Sequence, residues 1–227
     1  GAGTFRFGRF ADYVTALEDG GTETNAALLV GHTTLRQGVV DDMRRAATAA
    51  EIGLMQHEVE RAMEDGAFGF STGLDYAPAV GSSTDEVKAL ALTAAHFGGP
   101  YVTHTRNYFE QMDEAIEEAI DIARHAGTKL FISHHQCTGR MNHGKAGPSL
   151  ARIDAARQEM DIGMDVYPYA ASSTNLRLER CDTGIRIIIT WSESFPEMAN
   201  RDLADIARDW GTTEREAGER LLPAGAV

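Results

Sequence analysis

Short apolar runs alternate along this chain with longer segments whose apolar residues recur every three or four positions. A short apolar run bounded by polar or turn-forming residues predicts a buried β-strand. A segment with apolar residues at helical spacing predicts an amphipathic helix that packs on one face. The predicted strands span residues 25–30, 67–70, 101–103, 129–132 and 162–166.

Local signals support two of the predicted helices. Ser83 is expected to cap a helix that runs to His96, since Gly98 follows it closely. Residues 109–126 carry one apolar stripe with acidic residues opposite, and Gly127 is a typical helix stop. We therefore interpret these acidic side chains as a solvated outer face rather than as paired catalytic acids.

The order of these elements favours an α/β fold with a parallel sheet. Each predicted strand is followed by a helical segment, as right-handed crossovers require. No GxGxxG or P-loop motif follows a strand, which argues against a nucleotide-binding sheet. We predict a partial (β/α)₈ TIM-type barrel, because a full barrel needs eight strands and typically ~250 residues. Residues 186–190 are a sixth candidate strand, and residues 172–200 break the alternation and are predicted to be an insertion.

Composition and charge narrow the classes of partner. The 227 residues are 43% hydrophobic, and 21 basic against 34 acidic residues give a net charge of −13. Such an acidic chain is not expected to bind nucleic acid or an anionic membrane. The chain has no apolar run long enough for a membrane span and no secretory signal at its start, so a cytoplasmic location is expected. The 2 cysteines form no CxxC motif and are expected to be free thiols.

Two histidines follow neighbouring predicted strands. His104 ends the run Tyr-Val-Thr-His, and His134 ends the run Phe-Ile-Ser-His. The carboxyl ends of the strands are where α/β barrels have their active sites, and imidazole is the commonest protein ligand of divalent metals. The pair therefore predicts a metal site, although a catalytic zinc needs three protein ligands and a water. His32 also follows a strand, and we expect it to make a structural hydrogen bond.

Several longer stretches of the chain match one known family in the same order. They are Asn25-Ala-Ala-Leu-Leu-Val-Gly-His-Thr-Thr-Leu-Arg36, Gly66-Ala-Phe-Gly-Phe-Ser-Thr-Gly-Leu-Asp-Tyr-Ala-Pro78, Thr103-His-Thr-Arg-Asn107, Ile132-Ser-His-His135 and Asp165-Val-Tyr-Pro-Tyr-Ala-Ala-Ser-Ser-Thr174. Together these motifs resemble the D-aminoacylase family, the N-acyl-D-amino-acid deacylases of the amidohydrolase superfamily. The resemblance extends over essentially the whole chain.

The resemblance implies a zinc-dependent (β/α)₈ barrel of which this chain supplies about strands three to seven. His104 and His134 match the zinc ligands of the fifth and sixth strands. The family's remaining metal-site elements are a His-x-His on the first strand, a cysteine on the second and a catalytic aspartate on the eighth, and none has a counterpart here. We therefore expect residues 1–227 to be an incomplete catalytic barrel whose general-base aspartate lies beyond Val227.

The resemblance also implies an activity and a substrate site. Members of the family hydrolyse the amide bond of N-acyl-D-amino acids to a carboxylate and a free D-amino acid. The positions that match those holding the substrate's α-carboxylate are Tyr76, Tyr167 and Ser173, whose hydroxyls can donate hydrogen bonds. Gln136 stands where the family has a lysine, so this position keeps a donor but loses the charge.

The sequence leaves alternatives open. A deacylase for N-acyl-D-glutamate or N-acyl-D-aspartate fits the same motifs. The chain alone could instead be a catalytically inactive piece of a barrel, because the remaining metal ligands are absent from it. The expected partner is a small N-acyl-D-amino acid, and the open edges of an incomplete sheet predict completion by the rest of the polypeptide or self-association.

Overall fold

A parallel sheet of five strands runs through the residues that the computed structural model describes, which are 7–181, 183–223 and 225–227. The strands are β1 (Leu29–Gly31), β2 (Gly69–Gly73), β3 (Tyr101–His104), β4 (Leu130–Ile132) and β5 (Ile162–Met164). Their order in the sheet is their order along the chain, and each pairs in parallel with the next. The predicted α/β class and parallel sheet are confirmed, although β1 begins later than the predicted strand at 25–30.

Helices fill the connections between these strands. They are α1 (Phe10–Gly20), α2 (His32–Val39), α3 (Ala49–Glu64), α4 (Ala77–Val80), α5 (Thr84–Ala95), α6 (Met112–Ala126), α7 (Ala146–Ala156), α8 (Leu178–Cys181), α9 (Leu203–Trp210) and α10 (Glu214–Leu221). Short 3₁₀ helices span Arg140–Asn142 and Pro196–Met198. Within the described residues, no helix combines the length and the apolar character that crossing a membrane requires.

The two helices supported by local sequence signals, α5 and α6, form as predicted. The Ser83 hydroxyl accepts a hydrogen bond from the backbone N–H of Glu86 at 3.1 Å, which caps α5. The predicted apolar stripe of α6 is buried, and Glu114, Glu117 and Asp121 are exposed. Glu118 departs from the predicted solvated face, because it is half-buried and pairs with Arg106 at 2.8 Å. Gly127 ends α6 in the left-handed conformation, at φ 65°, where a residue without Cβ carries no steric penalty.

The register of the sheet places the carboxyl ends of β2, β3 and β4 side by side. Gly73 pairs with His104, and Thr103 pairs with Ile132. The residues that follow these strands therefore share one edge of the sheet. A pair of side chains on β3 and after β4 can meet there without any contribution from a distant part of the chain.

The described residues divide into two compact units. The first holds the five-stranded sheet and comprises the residues up to Gln136 together with Lys145–Val166, and the second comprises Cys137–Gly144 with Tyr167–Val227. The second unit has its own buried apolar cluster, which includes Ile189, Leu203, Ile206, Ala217 and Leu221.

The predicted sixth strand at 186–190 was wrong in its extent and in its sheet. Only Ile188–Ile189 is a strand (β6), and it pairs antiparallel with Arg201–Asp202 (β7) in the second unit. Residues 190–200 between β6 and β7 are too few for the helical crossover that a parallel pair needs, whereas an antiparallel pair can use them as a loop. The predicted insertion at 172–200 falls within this unit, and its status as an insertion stays a prediction.

Candidate metal centre

His104 and His134 meet at the shared edge of the sheet. His104 is the last residue of β3, and His134 follows the end of β4 by two residues. The Nδ1 atom of His104 faces the Nε2 atom of His134 at 3.0 Å. The ring centroids are 4.7 Å apart and the ring planes meet at 72°. The structure thus brings together the two side chains that the sequence singled out, and their role as metal ligands stays a prediction.

The backbone at His134 adopts a conformation that side chains other than glycine rarely take. Its φ is 41°, in the left-handed region. Asp165, which directly follows β5, stabilises this turn: its carboxylate accepts the backbone N–H of His134, and its carbonyl accepts the N–H of His135 at 2.8 Å. The ends of β4 and β5 are therefore joined through Asp165, which fixes the point from which the His134 side chain starts.

Aromatic and acidic side chains surround the two imidazoles. The ring of Tyr76 lies 4.7 Å from that of His104, and the ring of Tyr108 contacts His104 edge-on at 4.8 Å and 85°. The Tyr108 hydroxyl is 3.2 Å from His134 Nδ1. His104 Nε2 is buried without a hydrogen-bond partner among the described residues, and the carboxylate of Asp75 is 3.9 Å from it.

The electrostatic environment favours a neutral imidazole at His134. Burial lowers the pKa of His134, and the neighbouring His104 lowers it further, since two positive rings at this distance repel each other. Burial raises the pKa of the Tyr108 hydroxyl, which therefore keeps its proton. A neutral imidazole has a lone pair on one nitrogen, which is the form that binds a metal.

These contacts fit part of a metal centre. Two ring nitrogens 3.0 Å apart can both reach one divalent ion at ~2.0–2.1 Å each. Metal-bound histidines usually have a second partner for their other nitrogen, and Asp75 and the Tyr108 hydroxyl lie on that side of the two rings. Within the described part of the chain, no group of three or more His, Cys, Asp or Glu side chains is arranged to hold a metal ion. A metal ion held by His104 and His134 would need further ligands from outside these residues.

The predicted substrate-binding residues are divided between the two units. Tyr76 precedes α4, is 37% exposed and packs against His104. Gln136 directly follows His134 and His135 and is half-buried in the first unit. Tyr167 and Ser173 are exposed residues of the second unit. Their binding roles stay predictions for all four residues.

Three residues that the structure brings to the histidines had no role predicted from the sequence: Asp75, Tyr108 and Asp165. Asp165 had a usable signal, because it directly follows a strand, as His104 and His134 nearly do. Tyr108 had none, because it lies in an irregular segment after β3 and its contact with His134 depends on how that segment folds back.

The chain is similar to curated deacylases over nearly its whole length. It is 41% identical over 225 residues to a D-aminoacylase, 39% identical over 224 residues to an N-acyl-D-aspartate deacylase and 40% identical over 222 residues to an N-acyl-D-glutamate deacylase, all from Alcaligenes xylosoxydans xylosoxydans. These deacylases are homologues of the chain. The matches cover 97–99% of the chain but only 45–46% of each relative, so the chain spans under half the length of the curated relatives it matches. No family model matches it.

Solved structures agree with this relationship. A crystal structure of D-aminoacylase, described as defining a subset of amidohydrolases, superposes with a TM-score of 0.93 at 42% identity and covers 99% of this chain and 47% of its own. An N-acyl-D-glutamate deacylase from Bordetella bronchiseptica, complexed with zinc and a phosphonate inhibitor, superposes with a TM-score of 0.93 at 41% identity. The match covers 99% of this chain and 48% of that deacylase. A further D-aminoacylase structure, described with a binuclear metal centre, superposes with a TM-score of 0.92 at 42% identity. The match covers 99% of this chain and 47% of that structure's chain. The partial amidohydrolase barrel predicted from the sequence is confirmed at the level of fold.

Proposed function

We propose that this chain is part of a metal-dependent hydrolase that cleaves the amide bond of N-acyl-D-amino acids to a carboxylate and a free D-amino acid. The observation that carries the proposal is the 3.0 Å approach of His104 Nδ1 to His134 Nε2 at the carboxyl ends of adjacent strands. Its homologues are deacylases of this kind, and two nitrogen donors at a barrel's carboxyl edge suit a catalytic metal.

The proposed metal is zinc, held in part by His104 and His134. A zinc ion bound there supplies a Lewis acid that polarises the amide carbonyl and lowers the pKa of water. Tyr76, packed against His104, is proposed to donate a hydrogen bond from its hydroxyl to the α-carboxylate of the substrate. Gln136 is proposed to donate an amide N–H to the same group, without the charge that a lysine would add.

Two further proposed donors, Tyr167 and Ser173, belong to the second unit. Each is an exposed residue of that unit. Hydroxyl donors bind an anionic carboxylate without placing a second fixed cation beside the metal. No residue of this chain is assigned as the general base, and the proposal leaves that role to an aspartate beyond Val227.

Two alternatives follow from specific observations. The N-acyl-D-aspartate and N-acyl-D-glutamate deacylases are within two percentage points of the D-aminoacylase in identity, so an acidic side chain on the substrate is a second candidate. The described residues also provide no third metal ligand, which favours an inactive chain when it is isolated. The proposed partner is a small N-acyl-D-amino acid, and the cytoplasmic location and the self-association of open sheet edges stay predictions.

The test is an assay of the chain restored to full length with its flanking coding sequence. We expect zinc-dependent hydrolysis of N-acetyl-D-methionine and none of its L-enantiomer. Faster hydrolysis of N-acetyl-D-aspartate or N-acetyl-D-glutamate would replace the first candidate by the second. If the full-length protein with zinc cleaves none of these D-amides, the proposed activity is wrong.

A further inference from the structure

Gly73, the last residue of β2, leaves an open place beside His104. It pairs in register with His104, which is the last residue of β3. Residues paired in this way in a parallel sheet direct their side chains to the same face of the sheet. A side chain at position 73 would therefore lie next to the imidazole of His104. Because residue 73 is a glycine, another residue can use that place.

The aromatic ring of Tyr76 occupies the place that Gly73 leaves open. A Cβ atom at residue 73 would lie 2.9 Å from Cδ2 and 3.3 Å from Cε2 of the Tyr76 ring. Both distances are shorter than the optimal separation of two carbon atoms, about 3.5–4.0 Å. The same ring lies 4.7 Å from the His104 ring, at an angle of 43°. The Tyr76 ring and a side chain at residue 73 therefore cannot both lie beside His104.

Backbone hydrogen bonds hold the turn that leads from Gly73 to Tyr76. The N–H of Tyr76 donates to the carbonyl of Gly73 at 3.3 Å, as in a four-residue turn. The N–H of Leu74 donates to the carbonyl of His104 at 3.1 Å, and Leu74 is buried. The turn is thus tied to the end of β3, whereas Tyr76 is 37% exposed. An added Cβ would move the Tyr76 ring toward solvent more readily than it would move this backbone.

We infer that Gly73 is a positioning residue for Tyr76: because residue 73 has no Cβ, the Tyr76 ring can pack against His104, and this packing fixes where its hydroxyl lies. The backbone of Gly73 is outside the left-handed region, so the requirement for glycine here is one of space. The inference deepens the proposed function and rests on it for the binding of the substrate's α-carboxylate by the Tyr76 hydroxyl.

Gly73→Ala adds the one carbon atom that this packing excludes. Gly163→Ala is the matched control, because Gly163 is also a strand glycine, on β5, and its backbone is also outside the left-handed region. A Cβ at Gly163 would lie 2.7 Å from Cδ2 and 3.1 Å from Cε2 of the Phe131 ring. Both variants therefore press a methyl group against an aromatic ring, but only Gly73→Ala presses it against the ring that contacts His104.

Proton NMR of the whole 227-residue chain, without added metal, measures the contact directly. We expect nuclear Overhauser contacts between the rings of Tyr76 and His104 in the unaltered chain and in Gly163→Ala. In Gly73→Ala these contacts should be lost, and the chemical shifts of the His104 ring protons should change. A merely structural role for Gly73 would leave this signature unaltered in any variant that folds.

The consequence for substrate is tested in the chain restored to full length, with zinc and the D-amide that it cleaves fastest. A hydrogen bond made equally in the substrate complex and in the transition state affects KM and leaves kcat unchanged. We expect KM to rise ~10–100-fold in Tyr76→Phe, as for a lost hydrogen bond to a charged group, and to rise in Gly73→Ala as well. Adding Gly73→Ala to Tyr76→Phe should raise KM no further, since both changes act through one hydroxyl.

Three results would overturn the inference. They are retention of the Tyr76–His104 contacts in Gly73→Ala, equal loss of these contacts in Gly163→Ala, and a rise in KM from Gly73→Ala that is the same with and without the Tyr76 hydroxyl. If Gly73→Ala does not fold, adding Tyr76→Ala removes the obstructing ring and should restore folding, and failure to do so also overturns the inference. A full-length protein that cleaves no D-amide counts against the proposed function alone, because the NMR contacts still decide the role of Gly73.

Discussion

Histidines at the carboxyl edge of the sheet occur in two different environments. His32 follows β1 and is fully buried, with its Nε2 atom 2.8 Å from a carboxylate oxygen of Glu86. Arg36 donates to both oxygens of that carboxylate at 2.6 Å. His104 and His134 instead face each other at 3.0 Å, and the carboxylate of Asp75 is 3.9 Å from His104 Nε2, which is longer than a hydrogen bond.

The carboxylate of Glu86 is bonded from several sides, although the Nδ1 atom of His32 is buried without a hydrogen-bond partner among the described residues. Arg36 also donates to the carbonyl of Pro78 at 2.8 Å and to that of Arg45 at 2.8 Å, and Glu86 accepts the N–H of Ala47 at 3.2 Å. These bonds join α2, the loop after it, α4 and α5. His32 belongs to this network through Glu86 and so has the structural hydrogen bond predicted for it. A histidine's position at a strand end therefore does not decide its role, which depends on the groups that surround the ring.

The largest loss of stability is expected when the carboxylate of Glu86 is removed. Glu86→Ala leaves the guanidinium of Arg36 buried and uncompensated, since both side chains of this ion pair are 0% exposed. Breaking such a buried pair typically costs 3–5 kcal/mol, so we expect the free energy of unfolding to fall by about that amount. Urea denaturation followed by circular dichroism measures the loss.

Glu58→Ala is the control for Glu86→Ala. Glu58 is also on a helix and also pairs with an arginine, Arg61 at 2.7 Å, but both side chains are more than a third exposed. A pair of this kind contributes about 0–1 kcal/mol. Equal losses in Glu58→Ala and Glu86→Ala would show that the network around His32 is not a structural anchor.

The facing nitrogens of His104 and His134 predict a loss of zinc binding when either ring is removed. His104→Ala removes one of the two facing nitrogens, and we expect the affinity of the chain for zinc to fall by more than ~100-fold, beyond the loss typical of an outer partner. His57→Ala, on the exposed face of α3, should leave zinc binding unchanged. Equilibrium dialysis with metal analysis measures both. Stoichiometric zinc retained by His104→Ala would remove His104 from the ligand set.

Much of the sheet could be predicted because its signals are local. The apolar runs at β2, β3, β4 and β5 and the glycine that ends α6 are patterns within a few residues of the element they define. The pairing of His104 with His134 was also predictable, since parallel strands that are neighbours in the chain are usually neighbours in the sheet.

The remaining features depend on contacts that no local pattern encodes. Glu86 is placed where a capping residue of α5 is expected, yet its carboxylate bonds to Arg36, which precedes it by 50 residues. β6 and β7 have two residues each, too few for an alternating pattern, so the sequence could not indicate their antiparallel pairing. Tyr108 was missed for the same reason, because its partner His134 is 26 residues away.

The smallest predicted effect is a dependence of stability on pH that the His32 network should produce. Burial lowers the pKa of His32 from its ordinary 6.5, outweighing the opposing effect of the Glu86 hydrogen bond. Burial alone would raise the pKa of Glu86, but hydrogen bonds from His32 and Arg36 lower it below its ordinary 4.5. In both cases the unfolded chain takes up a proton at higher pH than the folded chain does.

Stability from both groups is therefore present at neutral pH and is lost as the pH falls. The His32 contribution should begin to disappear below the ordinary histidine value of 6.5, and that of Glu86 below 4.5. Each group can change the free energy of unfolding by at most about 1.4 kcal/mol per pH unit. Urea denaturation at intervals between about pH 7 and about pH 5 covers the histidine range.

His32→Gln isolates the histidine part of this dependence, because a glutamine amide can donate to Glu86 but does not titrate. We expect the variant to lose less stability between about pH 7 and about pH 5 than the unaltered chain does. His134 and His135 also have pKa values lowered by burial, but they remain in both proteins, so the difference reports His32 alone. If the free energy of unfolding of both proteins falls by the same amount over this range, His32 has the same pKa in the folded and the unfolded chain. The distinction between His32 and the His104–His134 pair would then rest on geometry alone.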